Sequence, residues 1–344
     1  VTTVALDGRG AERGPSAIIA GARAAAEDGI GIRVFGDLTA LGELRGVSGV
    51  ELVEAAGEIT NDEDPVGAVR GTPEASIVLA AADVAAGRSQ ALASAGPTGA
   101  TMTAALFALR RMHGVRRPAL AVQLVVPGLD RPPSLFLDVG ANAEVRASDL
   151  VQFAYLGAAF SRAVLGVESP RVALLSVGEE PKKGTQDVVD AHAELAKLGS
   201  GGEVDFRGNV EGRDLLGDAA EVIVTDGFTG NVALKTIEGT AKAVAGAVAS
   251  AARSNPVAAA GGLLMRPALG SLRRQLDPDT TGGAILLGLR GVAVVGHGSS
   301  GPEGIANAIR LAARAVEVGA VERTAELLDR SGTTRAAMRD RKEA

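Results

Sequence analysis

Between residues 222 and 231 an apolar run, Val222-Ile223-Val224, gives way to Thr225-Asp226-Gly227-Phe228-Thr229-Gly230-Asn231, and a helical pattern follows. Glycines alone would make the turn. The acid, threonine and asparagine beside them add hydrogen-bonding groups at a helix start, where backbone N–H groups and the helix dipole already favour an anion. The arrangement recurs: apolar runs end in "SAGPTGAT" (94–101), "LDVGAN" (137–142), "SVGEEPKKGT" (176–185) and "GHGSS" (296–300). Ordinary caps and turns explain one such loop. Five in one chain point to a phosphate-type site. Nucleotide signatures do not account for it. "DGRGAERG" (7–14) puts Arg13 where the third glycine of G-x-G-x-x-G belongs, and no G-x-x-x-x-G-K-[ST] occurs. "GHGSSG" is not a G-x-S-x-G nucleophile elbow. Free phosphate, or a phosphorylated group, is then itself the reactant.

The elements that position these loops alternate from end to end. Strand patterns cover Val4–Leu6, Ile32–Phe35, Ala91–Ser94, Leu135–Leu137, Val172–Ser176, Val204–Arg207, Val222–Thr225 and Val292–Gly296. Helical patterns cover Pro15–Glu27, Pro73–Gly87, Thr98–Met112, Asp149–Leu165, Gly184–Leu198, Thr229–Ser254 and Pro302–Val318. This alternation predicts an α/β fold in three layers, a mostly parallel sheet covered by helices. One unit spans 1–320, residues 240–276 form a basic, apolar helical protrusion from it, and the charged stretch 321–344 is a solvated helix fraying into a tail.

Composition narrows the chemistry. The 344 residues are 46% hydrophobic but only 2% aromatic, so the core is aliphatic. With no cysteine there is no thiolate catalysis, and His113, His192 and His297 have no metal-ligand spacing, so neither metal nor other cofactor is expected. A net charge of −6 without clustered aromatics argues against nucleic acid as a partner. The opening residues lack the pattern of a signal peptide and no apolar run reaches spanning length, which reads as a cytoplasmic protein. Residues 240–276 stand apart: Lys242, Arg253, Arg266, Arg273 and Arg274 with no acid, a local +5 against −11 for the rest.

Nine stretches, "VALDGRGAERGP", "SAGPTGA", "RRPALA", "LDVGAN", "VGEEPKKGT", "GNVEGRD", "VTDGFTGNVALKTIEG", "GGAILLGL" and "HGSS", resemble in order and spacing the bacterial acyl-[acyl carrier protein]:phosphate acyltransferase family over roughly residues 4–318. The resemblance implies transfer of a fatty acyl group from the thioester of acyl carrier protein to inorganic phosphate, giving acyl phosphate for phospholipid synthesis. It also implies a fold like that of phosphotransacetylases and isopropylmalate dehydrogenases, and a homodimer resting loosely on an anionic membrane surface. The chain departs from the family pattern at Glu12 (usually Asp), Pro97 (Asn), Thr185 (Asn) and Ile285 (Pro), which bears on efficiency or acyl preference. An NAD-dependent hydroxyacid dehydrogenase on a related fold, or a catalytically weak lipid-synthesis scaffold, are the competing readings.

For that reaction the phosphate dianion must be held, the oxyanion stabilised and the thiolate released, and preorganised donors do most of this. Lys183, before a helix start at Gly184, is the expected phosphate clamp. Asn231 donates to the oxyanion or phosphate, or caps its helix. Asp226 orients Lys183 or His297, or fixes the turn by bonding its own backbone. His297 protonates the leaving sulfur or bonds the phosphate, with Ser299 beside it. Lys235 reaches the site or pairs with Glu238. Asp7, Thr98, Gly99, Asn142, Gly227, Thr229 and Gly230 shape the substrate loops, and Arg213 binds phosphate or the pantetheine arm, or pairs with Asp214 or Asp218. Carrier proteins are strongly acidic, so Arg253, Arg266, Arg273 and Arg274, with exposed Leu263 and Leu264, are expected to meet the carrier protein or anionic lipid.

Overall fold

The computed structural model describes residues 1–126, 128, 131–199, 203–275 and 278–334, with side chains at all of these but 199, 268, 269, 271–275 and 278. Among them are the strands β1 (Thr3–Asp7), β2 (Gly31–Gly36), β3 (Val50–Glu54), β4 (Ala91–Ser94), β5 (Ala119–Leu124), β6 (Ser134–Leu137), β7 (Arg171–Leu175), β8 (Asp205–Val210), β9 (Val222–Val224), β10 (Ala284–Leu287) and β11 (Val292–Val295). The helices are α1 (Pro15–Glu27), α2 (Pro65–Gly71), α3 (Ser76–Ala85), α4 (Thr98–Leu109), α5 (Ala147–Phe160), α6 (Gln186–Gly199), α7 (Gly227–Ala251), α8 (Pro256–Gln275), α9 (Pro278–Thr281), α10 (Pro302–Glu317) and α11 (Ala320–Ser331).

All the strands join one sheet in the order β3-β2-β1-β4-β11-β10-β5-β6-β9-β7-β8. The first five run parallel, as do the last four, while β10 and β5 are antiparallel to their neighbours. Three reversals separate the two parallel blocks, so the blocks run in opposite senses. Their carboxyl ends therefore open towards opposite edges of the sheet, and a shared site must lie on a face.

Both faces are covered, which is why the strands read as continuous apolar runs. Val4 and Leu6, Leu135 and Leu137, and Val292 and Val294 point to one core with α1, α5, α10 and α11. The alternate residues Ala5, Phe136, Ala293 and Val295 point to the other, with α3 and α4. Every residue of α5 is buried, including Phe153, Tyr155 and Phe160, three of the eight Phe and Tyr side chains in the chain.

Several expectations change. Strands β3, β5 and β10 carry no clear pattern in the sequence: β3 alternates with acids at the sheet edge, and β5 and β10, remote from each other in the chain, pair with one another. Helix α3 begins at Ser76 rather than Pro73. Helix α6 begins at Gln186, because Gly184 has φ +111°, outside helical conformation. Thr185 caps it instead: the Val188 amide donates to Thr185 Oγ1 at 3.3 Å. The expected solvated helix after 320 is α11, which buries Leu327 and Leu328 against α5. Residues 335–344 of the expected tail lie outside the described residues.

Candidate active site

The middle of the sheet, at β5, sets the site. Leu120, Val122 and Leu124 alternate on one face of this strand and form the apolar wall of a cavity of about 420 Å³. Leu234 and Ile237 of α7 and Val295 of β11 extend that wall. The opposite lining is polar: Glu12, Thr98, Asn231, Lys235, Glu238 and His297. Loops from both parallel blocks reach it because it lies on the face between them.

Helix α7 enters through an unusually close approach. Asp226 is its N-cap, accepting from the Thr229 amide at 2.8 Å. Of the two roles open to Asp226, the structure has the turn-fixing one. The Gly227 amide donates to the Asn142 carbonyl at 2.7 Å. A Cβ at Gly230 would lie 1.9 Å from the Asp138 carbonyl oxygen, and one at Gly227 2.6 Å from the Asn142 oxygen. No side chain fits at either position, so these two glycines press the first turn of α7 onto the loop after β6. Asn231 and Lys235 are thereby turned into the cavity, one turn apart.

That loop is organised by Asp138, which sequence reasoning missed although "LDVGAN" contains it. Fully buried, its carboxylate accepts from the amides of Leu120, Gly140, Ala141 and Asn142 and from Asn142 Nδ2. Burial pushes its pKa up and the surrounding donors pull it back. Asn142 bonds inwards to Asp138 and Pro118, so it shapes the loop and is not part of the cavity lining. The available signal was an acid directly after an apolar run, close to the pattern at Asp226, where Thr225 intervenes.

At the cationic end, His297 Nδ1 lies 3.3 Å from the Ser299 amide and 2.7 Å from Ser299 Oγ. A backbone N–H can only donate, so Nδ1 accepts and the neutral ring carries its proton on Nε2. Nε2 is 3.4 Å from Lys235 Nζ, itself bonded to Glu238 at 2.8 Å. An ammonium has no lone pair, and neither does a protonated Nε2. Two donors converging this way leave a slot for an anionic oxygen. Thr98 brings the start of the twelve-residue α4 to the same cavity. Pro97, where the family pattern has Asn, is the N-cap residue of α4 and lines the cavity without a backbone N–H. Glu12 also lines it, its amide donating to the Gly298 carbonyl at 3.0 Å.

Other expected site residues lie elsewhere. Lys183 is exposed on the loop after β7 and, with Gly184, is outside the cavity lining. Arg213 is exposed and pairs with Glu179 (3.2 Å) and Glu211 (3.3 Å), while Asp218 is held by Arg131 and Arg171. Asp7 sits behind the loops, accepting from Ser94 Oγ and Ser76 Oγ, and burial raises its pKa to about 6. Gly99 is a packing position, where a Cβ would meet Pro65 at 2.7 Å. Thr229 contributes its amide to the Asp226 cap. Ile285 is buried in β10 opposite Ala121. On the α7–α8 pair, Leu263, Leu264, Met265 and Arg266 are exposed and Arg253 lies near the turn. The side chains of Arg273 and Arg274 lie outside the described residues.

Residues 2–323 match the family described as fatty acid synthesis protein. A phosphate acyltransferase of Elusimicrobium minutum (strain Pei191) is 43% identical over 326 residues, covering 92% of this chain and 93% of that one. Another, of Heliobacterium modesticaldum (strain ATCC 51547 / Ice1), is 41% identical over 321 residues, 91% of this chain and 94% of that one. Among solved structures, a phosphotransacetylase from Streptococcus pyogenes superposes with a TM-score of 0.61 at 16% identity, over 92% of this chain and 94% of that one. At that identity the likeness is one of fold.

Proposed function

The chain belongs to the phosphate acyltransferase family of fatty acid synthesis proteins, and on that premise we propose that it moves a fatty acyl group from the thioester of acyl carrier protein to inorganic phosphate, releasing acyl phosphate. The observation that carries this reading is the cavity's division, with two converging donors, Lys235 and His297, at one end and an aliphatic wall along β5 and α7. An acyl phosphate has the same division.

Phosphate sits between Lys235 Nζ, His297 Nε2–H and the start of α4, with the acyl chain along Leu120, Val122 and Leu124. A phosphate oxygen attacks the thioester carbonyl carbon, Asn231 Nδ2 donates to the developing oxyanion, and the C–S bond breaks. The departing thiolate takes its proton from solvent, and the Nε2–H of His297 remains a hydrogen-bond donor throughout. Positioning and fixed dipoles supply the rate, as no enzyme nucleophile is used.

The protein acts in the cytoplasm as a homodimer through its protruding α7–α8 pair, whose apolar tip at Leu263–Met265 touches the anionic membrane that receives the product. No helix among the described residues is long and apolar enough to cross a bilayer. Incubation with acyl carrier thioester and phosphate, followed by hydroxylamine trapping, tests the reaction. Hydroxamate formation that requires both substrates is the expected result. Thiol release without trappable acyl phosphate would overturn it.

A further inference from the structure

Residues 110–117 read Arg-Arg-Met-His-Gly-Val-Arg-Arg, four arginines without an acid in a chain of net charge −6. The fold gathers them with a fifth. Arg290, in the turn between β10 and β11, donates from its amide to the Arg110 carbonyl and from Nε to the Arg111 carbonyl, both at 3.0 Å. Arg111 donates in turn to the Arg116 carbonyl. Arg116 is spent inside the fold, on buried Asp149 and on Ser148. Arg110, Arg111 and Arg290 are exposed and have no ion pair among the described residues, and Arg117 is half exposed, 4.0 Å from Asp149.

Arg110 adds an independent observation. It ends α4 at φ 61°, ψ 163°, a region open almost only to glycine, and is the only non-glycine residue with positive φ among the described residues. Such a conformation is strained for any residue that carries a Cβ. Glycine is the residue that stability alone would choose there, so the guanidinium has another use.

The patch also adjoins the cavity. Arg117 donates to the Glu144 carbonyl and Asn142 to the Pro118 carbonyl, so the loop carrying Val139 and Gly140 runs from the cavity lining to the patch. Leu120 of the cavity wall is three residues along the chain from Arg117. We propose that Arg110, Arg111, Arg117 and Arg290 are the docking surface for the acidic carrier protein, which delivers its acyl thioester to the cavity alongside. This rests on the donor assigned under the proposed function. It sets the docking surface beside the start of β5 and the β10–β11 turn rather than on the arginines of the α7–α8 pair.

The test compares wild type, an Arg110→Gly variant, a combined Arg110→Gly, Arg117→Gln, Arg290→Glu variant, and an Arg253→Glu, Arg266→Glu control. Donors are acyl carrier protein thioester and a carrier-free acyl pantetheine. Loss of exposed complementary charges should raise the KM for the carrier thioester about tenfold in the combined variant at low salt, with the effect shrinking as salt rises. The KM for phosphate and turnover of acyl pantetheine should not change, and Arg110→Gly should melt higher than wild type. An unchanged carrier KM, an equal loss with acyl pantetheine, or a loss confined to the control would each overturn the proposal. Direct binding of holo carrier protein, followed by fluorescence anisotropy, separates this from the reaction: undiminished binding by the combined variant overturns the docking surface even if no acyl phosphate forms. Absence of acyl phosphate with the binding difference intact counts only against the proposed reaction. If the combined variant loses retention on anionic vesicles while carrier binding persists, the patch is a membrane contact and the proposal falls.

Discussion

At the scale of single residues, two charged groups make opposite predictions. Lys235 points into the cavity beside His297, so Lys235→Ala should raise the KM for phosphate and lower kcat/KM roughly ten- to hundred-fold, the worth of a charge-assisted contact. The same substitution at Lys183, whose loop lies outside the cavity lining, measures whether the sequence pattern or the cavity locates the clamp; an equal loss at both positions would draw that loop into the site. Asp7 concerns stability instead. Its folded pKa of about 6 exceeds the ordinary aspartate value of 3.8, so the folded state favours the protonated form and ionisation of Asp7 weakens the fold. Stability from this group is complete below about pH 4 and is lost as pH rises through 6, on the order of 3 kcal/mol by pH 7. Asp7→Asn should remove that slope, read as the difference between variant and wild-type denaturation midpoints from pH 4 to 7. A difference that stays constant with pH would show that Asp7 does not titrate in this range.

At the scale of elements, α7 offers a paired test on one helix. Gly230→Ala drives a methyl into the Asp138 carbonyl and should cost more than about 3 kcal/mol or prevent folding. Gly239→Ala, with nothing within 4 Å and an exposed position, should stabilise by about 0.5–1 kcal/mol. Thermal melts of the two decide whether close approach, rather than flexibility, explains these glycines. The same helix marks how far the sequence could be read. The loops at 94–101, 137–142, 225–231 and 296–300 were legible because glycine, caps and an apolar run leave local signatures, and most of them do frame the cavity. Strands β5 and β10 were not, because each pairs on one side with the other, far away in the chain, and with β5 much of the apolar part of the cavity lining was missed. Lys183 was placed at a helix start because Gly184 resembles one; its positive φ puts the start two residues later.

At the scale of the whole molecule, the α7–α8 pair is largely exposed along its described residues, whereas the sheet is buried on both faces. Of α7 only Gly227 and Gly230 are buried, and Leu263, Leu264 and Met265 at the far end are 67%, 83% and 56% exposed. Replacing these three by serine should abolish sedimentation with anionic vesicles while leaving turnover in solution intact; retained sedimentation would remove the tip from the membrane contact. The inner strand β5 has a quieter consequence. Because the two parallel blocks meet there, one strand carries three of the apolar side chains of the cavity wall, Leu120, Val122 and Leu124, while the polar lining comes from other elements. Side chains two residues apart on a strand are spaced by about 6.6 Å, so under the proposed function these three would act as graduations on a ruler for acyl length. Val122→Phe should shorten the longest chain accepted, measured by competition between carrier thioesters of graded length, and leave the phosphate KM where it was. Length selection and phosphate binding would then be free to change independently of each other.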